Sequence, residues 1–228
     1  MKEGIQRKII ITDDGSKTIH LPELNEQYHS KHGAVNEAMH VFIESGFNHI
    51  LKKEFLDHLA ILEMGFGTGL NAFITFLEAE KCNQPINYVS IEAYPVTWSE
   101  AKLMMYPEVL SVEEKSPIFS RMHQSNWEKP VDISSSFKLL KRKQFFVEIS
   151  DIECFDLIYF DAFGARVQPE LWTSEIFTKM YKALRHKGVL VTYSAKGSVR
   201  RAMQEVGFDV ERLPGPPGKR EMLRATKK

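Results

Sequence analysis

Glu63-Met64-Gly65-Phe66-Gly67-Thr68-Gly69-Leu70-Asn71 is the stretch on which the reading of this chain turns. In front of the glycines stands Leu59-Ala60-Ile61-Leu62-Glu63-Met64, a short apolar run of the length of a buried strand. Behind them, Leu70 to Glu80 reads as a helix. Glycines at a strand-to-helix turn adopt φ > 0 and let a ligand approach the backbone closely. The GxGxG spacing lacks the Lys-Ser/Thr ending of a phosphate loop, which disfavours nucleoside triphosphate hydrolysis.

Working outward, the alternation of strand and helix patterns continues. Residues 86–92 read as the second strand, 96–105 as a helix, 145–149 as the third strand and 155–161 as the fourth. Residues 175–184 read as a helix, 188–193 as the fifth strand and 198–206 as a last helix. Terminal strands at about 208–213 and 221–226 flank a Pro/Gly loop. This predicts an α/β fold with a mostly parallel sheet and helices on both faces. Residues 111–143 break the rhythm with Trp127, Pro130, Ser134-Ser135-Ser136 and a basic group around Lys141, and read as an insertion, a hairpin near the rim of the site. Upstream, residues 1–55 read as an N-terminal extension packed on a core domain of 56–228. The extension holds a strand at Ile9–Thr12, a turn at Asp13–Ser16, a second strand including Thr18–Leu21, and a helix from Gly33 to about Ile50.

Length and composition fit one α/β domain with elaborations. There is no run of about 18 apolar residues and no leader-like start, so a cytoplasmic protein is expected. Cys82 and Cys154 are the only cysteines and form no CxxC, which suggests neither a disulfide framework nor a cysteine zinc site. His29, His32 and His40 lie near one another without an HExxH or a matched Cys/His set, so no metal is expected. The net charge of zero argues against a non-specific coat on nucleic acid. The segment from Lys196 to Lys228 is nonetheless basic, with nine Lys/Arg against four acids, which fits a polyanion-binding face or a solvated end.

Four acids are expected at one sheet edge: Glu63, Glu92 ending the second strand, Asp151 ending the third and Asp161 ending the fourth. Ligands in such sheets bind outside the carboxyl ends of the strands. Glu92 is placed to accept hydrogen bonds from both ribose hydroxyls, and Asp151 to accept one from an adenine amine. Four carboxylates repel a diphosphate and suit a cofactor with a sulfonium cation and an amino group. The charge argument therefore favours S-adenosyl-L-methionine over NAD, held by Glu63, Gly65, Gly67, Thr68, Gly69, Asn71, Glu92 and Asp151.

Further residues carry a resemblance. Tyr28-His29-Ser30, Gly33-Ala34, Glu37, His40-Val41-Phe42, the glycine loop, Phe160-Asp161-Ala162-Phe163, Pro169-Glu170-Leu171-Trp172, Val199-Arg200-Arg201 and Gly218-Lys219-Arg220-Glu221-Met222-Leu223 resemble the methyltransferase of the MnmC/MnmD family. The resemblance runs along nearly the whole chain, and its terminal blocks are more specific than the glycine loop. Ala162 stands where a Gly is often seen, and Gly164-Ala165-Arg166 departs from the more usual Ala-Pro stretch. The sequence ends at Lys228 without the flavin-dependent oxidase domain of two-domain members, so the stand-alone form is expected.

The resemblance implies a Rossmann-like class I methyltransferase that uses S-adenosyl-L-methionine. It would methylate the amine of 5-aminomethyl-2-thiouridine at the tRNA wobble position. Asp161 is then expected to orient the amine and take up charge. Tyr28 is expected to close over cofactor or base, and Phe163 and Trp172, with Phe66, to wall in an extruded base. Arg200, Arg201, Lys219 and Arg220 are expected to meet phosphates of the anticodon arm. A separate oxidase or an upstream wobble-modifying enzyme would be a further partner. Two rival readings stand beside this one: a spermidine-synthase-like aminopropyltransferase, and a non-catalytic Rossmann-like RNA-binding module.

Overall fold

The computed structural model describes residues 6–52 and 56–228. The first five residues and the boundary expected at 55 lie outside them.

The N-terminal segment opens with β1 (Lys8–Ile11), β2 (Lys17–Leu21) and β3 (Glu26–Gln27), which form a small antiparallel sheet. The turn between β1 and β2 is closed by Asp14, whose Oδ1 accepts from Thr12 Oγ1 (2.7 Å) and the Ser16 backbone N–H (3.1 Å). Then comes the expected helix. It begins as α1 (Ala34–Ala38), widens to π geometry over Met39–Phe47, and ends as α2 (Asn48–Leu51). Val41, Phe42, Ile43 and Phe47 bury its apolar side, with Phe42 5.1 Å from the Tyr159 ring. Gly46 lets it lie close to the sheet, since a Cβ there would stand 3.0 Å from Val191 Cγ2.

The central sheet has eight strands. In chain order its parts are β4 (Leu59–Met64), α3 (Leu70–Cys82), β5 (Ile86–Ile91), α4 (Trp98–Ala101), α5 (Tyr106–Val109) and α6 (Ser116–Gln124). They continue with β6 (Val131–Asp132), β7 (Phe137–Arg142), β8 (Phe155–Phe160), α7 (Ser174–Ala183), β9 (Leu184–Thr192), α8 (Gly197–Glu205), β10 (Asp209–Pro214) and β11 (Glu221–Thr226). The order across the sheet is β10-β11-β9-β8-β4-β5-β7-β6. β9, β8, β4, β5 and β7 run parallel; β11, β10 and β6 are antiparallel to their neighbours. β4 and β8 are buried along their whole length, as strands covered on both faces must be. From β4 the chain winds to one side through β5 and β7, and from β8 to the other through β9. The reversal falls between β4 and β8, and a ligand crevice belongs above that point.

One strand expectation fails. Residues 145–149 are not the third strand: Phe146–Glu148 make a 3-10 turn, with Phe145 and Val147 exposed. The strand beside β5 is β7, inside the segment expected to be an insertion. Phe137, Leu139 and Lys141 alternate inward along it, and a lysine at an inward position disguised the period. Lys141 is 1% exposed, its Nζ 4.9 Å from the Trp127 ring centroid and 5.4 Å from that of Phe66. The hairpin expectation does hold, as β6 pairs with β7, but it forms the sheet's edge.

Candidate active site

A cleft of about 780 Å³ opens at the carboxyl ends of β4, β5 and β8. Its floor is the glycine loop. Gly65, Gly67 and Gly69 all have positive φ (102°, 51° and 75°), and the loop then turns into α3. Gly65, Phe66 and Gly67 line the cleft; Thr68 and Gly69 do not. Thr68 turns its hydroxyl away to Tyr106 Oη (2.8 Å), and Gly69 backs onto His123. Their part is therefore to shape the loop, which corrects the expectation that they touch a cofactor.

The loop is held from below. The Thr68 carbonyl only accepts, so His123 Nε2 carries the proton and donates to it at 2.9 Å. Lys141 Nζ donates to the His123 carbonyl at 2.6 Å. Burial pushes the His123 imidazole down to about 4. A folded value below the ordinary 6.5 contributes stability fully above pH 6.5, and that stability is lost as pH falls towards 4. The span is worth about 3 kcal/mol at most. His123→Gln is thus expected to melt below wild type at pH 7.5, with the gap narrowing at pH 5. A gap independent of pH would remove this role for the imidazole.

The acids divide into three environments. Glu92 lines the cleft just after β5 and accepts the backbone N–H of Tyr94 (2.9 Å) and of Gly67 (3.1 Å). Burial raises its pKa. Glu63 is fully buried beneath the floor, not on it, which corrects its expected direct contact. It accepts from Ser90 Oγ at 2.6 Å, and burial, with the nearby Asp161 charge, pushes it well above the usual carboxyl range. Asp151 is absent from the cleft wall and ion-paired to Arg142 at 2.7 Å. Its expected place depended on the strand that did not form. Phe145, Phe146 and Val147 wall that side instead.

Asp161 follows β8 and lines the cleft half-buried. Asn71 Nδ2, on the first turn of α3, donates to its Oδ2 at 2.8 Å. Burial chiefly, then the Glu37 charge, pushes the Asp161 carboxyl up to about 7, against the Asn71 hydrogen bond and the Lys219 charge. A carboxyl so tuned exchanges a proton near neutrality.

Tyr28 lies over the glycine loop: a Cβ on Gly67 would stand 3.1 Å from its ring. Its edge meets Phe163 at 5.0 Å between centroids, and both line the cleft. Trp172 does not. It is 5% exposed, packed 5.0 Å from the Phe160 ring, with Nε1–H donated to the Phe163 carbonyl at 2.8 Å. It braces the Phe163 loop from the core, and no face is left for a base. Arg200, Arg201 and Arg220 stand outside the cleft. Lys219 turns into it, bound to Glu37 and seated over Tyr193, which corrects its expected availability to phosphate. Glu37 and Tyr193 are site residues that the sequence reading did not assign.

The donor set fits an adenosyl cofactor. The glycine floor leaves room for close backbone approach, and Glu92 offers carboxylate oxygens at the second strand end. Asn71 Oδ1, buried and lacking a hydrogen-bond partner, is a further acceptor beside Asp161. Among the described residues no three His, Cys, Asp or Glu side chains gather to hold a metal ion. Among them, too, no helix is long and apolar enough to cross a membrane.

Comparison with known proteins agrees with this geometry. A family described as S-adenosyl-L-methionine-dependent methyltransferase matches residues 135–228. The "tRNA 5-methylaminomethyl-2-thiouridine biosynthesis bifunctional protein MnmC" of Aromatoleum aromaticum is 28% identical over 234 residues, covering 95% of this chain and 35% of that protein. Its counterpart in Cupriavidus necator is 29% identical, covering 90% and 32%. The crystal structure of MNMC2 from Aquifex aeolicus matches with a TM-score of 0.75 at 22% identity, over 99% of this chain and 71% of that one. Spermidine synthase from Thermotoga maritima shares the fold at 13% identity, with a TM-score of 0.54. Fold and site define a Rossmann-like, S-adenosyl-L-methionine-dependent methyltransferase. Within that class, the chain is similar to the MnmC proteins along most of its length. It spans about a third of the length of the curated relatives it matches.

Proposed function

We propose that this chain methylates the primary amine of 5-aminomethyl-2-thiouridine at the tRNA wobble position, giving 5-methylaminomethyl-2-thiouridine. The observation that carries the reading is the placement of Asp161, a carboxyl in the cleft beside the glycine loop that accepts from Asn71 Nδ2 at 2.8 Å and that burial pushes up to about 7. An amine attacks only as its free base, while water keeps it as the ammonium. A carboxyl of that proton affinity takes the extra proton near neutral pH. The cofactor, when bound, supplies a methyl group on a positively charged sulfur. Gly65, Gly67, Glu92 and Asn71 hold it. Tyr28 and Phe163 offer aromatic faces to a base withdrawn from its stack. Arg200, Arg201 and Arg220 have no acid within ion-pair distance among the described residues, and we assign them to phosphates of the anticodon arm. The partners are the tRNA and the oxidase or upstream wobble-modifying enzyme that makes its aminomethyl group, all in the cytoplasm.

The deciding experiment offers the enzyme labelled S-adenosyl-L-methionine and tRNA lacking the final methyl group. A parallel reaction offers decarboxylated S-adenosylmethionine and a polyamine. Methyl transfer to the tRNA is the expected result. Aminopropyl transfer in the second tube, with none in the first, would overturn the reading. Affinity for the tRNA should fall with added salt, and Arg201→Ala should flatten that slope by about one. A slope unchanged by that substitution would take Arg201 out of the interface.

A further inference from the structure

Lys219 sits in the turn between β10 and β11, yet its side chain reaches into the cleft instead of solvent. Its Nζ donates to Glu37 Oε2 and lies 4.0 Å from the centroid of the Tyr193 ring. Glu37 is 6% exposed, and its Oε1 accepts the Ser30 backbone N–H at 3.0 Å. The Tyr193 hydroxyl donates to the Ala162 carbonyl at 2.7 Å, which fixes the ring next to Asp161. Asp161 feels both charges of the pair. A carboxylate to accept N–H, an aromatic face and a second carboxyl in electrostatic range are together a good receptor for an alkylammonium. Here the chain supplies its own ammonium, on a flexible stem.

We propose that Glu37, Tyr193 and Asp161 form the seat of a ligand's primary ammonium group, and that Lys219 fills this seat until the ligand displaces it. The inference rests on the reading above, under which two such groups arrive: the substrate's aminomethyl and the amino-acid end of the cofactor. The substrate's group fits better. It must lose a proton to react, and Asp161 is there to take one; the cofactor's amino group keeps its charge throughout. Asn71 of α3 is bonded to Asp161, and Glu63 of β4, Tyr88 of β5 and Tyr106 of α5 are the other groups within reach of its charge. Of the charged pair, Glu37 holds the Asp161 proton on and Lys219 drives it off.

Lys219→Ala vacates the seat. Calorimetric titration with methylammonium is expected to show at least about tenfold tighter binding to this variant than to wild type. The double variant Glu37→Gln, Lys219→Ala should bind none. Equal affinity in wild type and Lys219→Ala overturns the proposal. This arm needs no RNA, so it stands or falls apart from the tRNA reading. The source of the ammonium is read in a second arm. Glu37→Gln should raise KM for the amine-bearing tRNA with the S-adenosylmethionine Kd unchanged. It should also move the midpoint of the pH–rate profile to lower pH, while Lys219→Met, which keeps the stem, moves it to higher pH. A merely structural ion pair would not give opposite shifts. Weakened cofactor binding with unchanged tRNA KM would give the seat to the cofactor and overturn the substrate assignment.

Discussion

Asp161→Asn is expected to lower kcat for methyl transfer by about 10²–10⁴-fold, with S-adenosylmethionine still bound at nearly wild-type affinity. Asparagine keeps the shape of the side chain and an oxygen for the Asn71 Nδ2–H, so the cleft wall survives. What it cannot do is accept a proton. In the wild type that ability is set by burial and the Glu37 charge, which bring the carboxyl to about 7. Below that pH the group is a neutral acid and the substrate keeps its ammonium. Above it, the carboxylate takes the proton. Wild-type kcat/KM should therefore climb as pH rises through about 7, and the variant should be flat there apart from the amine's own ionisation. Stability separates this from unfolding. A carboxyl raised above its ordinary 3.8 stabilises below that value and loses the contribution as pH rises through about 7. Removing it should leave the melting temperature at pH 8 no lower than wild type. Normal turnover by the folded Asp161→Asn variant would remove Asp161 from the reaction.

The part of this site that was legible in the sequence is the part built by local rules. A strand ending in spaced glycines and followed by a helix gave β4, the loop and α3, because φ > 0 and the apolar run are properties of neighbouring residues. The position of Asp161 was legible because β8 is an uninterrupted buried run and Asp161 is the residue that follows it. What was hidden depends on distant partners. β7 escaped because its inward Lys141 is neutralised in effect by Trp127, Phe66 and the His123 carbonyl, none adjacent in sequence. The false strand at 145–149 was the converse: its apolar residues line a cleft lip, where they have no strand partner. Asp151 was misplaced with it. Glu37 and Lys219 lie 182 residues apart, and only the fold brings them together. The MnmC-like blocks around both residues carried that information as resemblance, which is why the likeness was visible before the pairing.

Two glycines of the loop should fail in different ways. Gly69 has φ +75°, and a Cβ there would stand 2.6 Å from His123 Nε2 and 3.3 Å from Phe66 Cζ. His123 cannot yield easily. It is bonded to the Thr68 carbonyl and packed against Phe66, Phe119 and Trp98. Gly69→Ala combines left-handed backbone strain with overpacking, a cost of about 2–4 kcal/mol, or roughly 6–12 °C in Tm for a chain of this size. Yet Gly69 does not line the cleft, so the molecules that remain folded at 20 °C should bind S-adenosylmethionine nearly as wild type does. Gly67 is the reverse. With φ +51°, its added methyl meets only the Tyr28 ring at 3.1 Å, and that ring belongs to the N-terminal segment and can shift by a few tenths of an ångström. Gly67→Ala should cost about 1 kcal/mol of stability, but its methyl enters the floor of the cleft and lifts Tyr28, so cofactor affinity should fall about tenfold or more. Thermal melts and calorimetry on the two variants give four numbers. If Gly69→Ala loses binding while Gly67→Ala loses only stability, the cofactor lies against the other end of the loop, and the assignment of Gly65 and Gly67 as its floor is wrong.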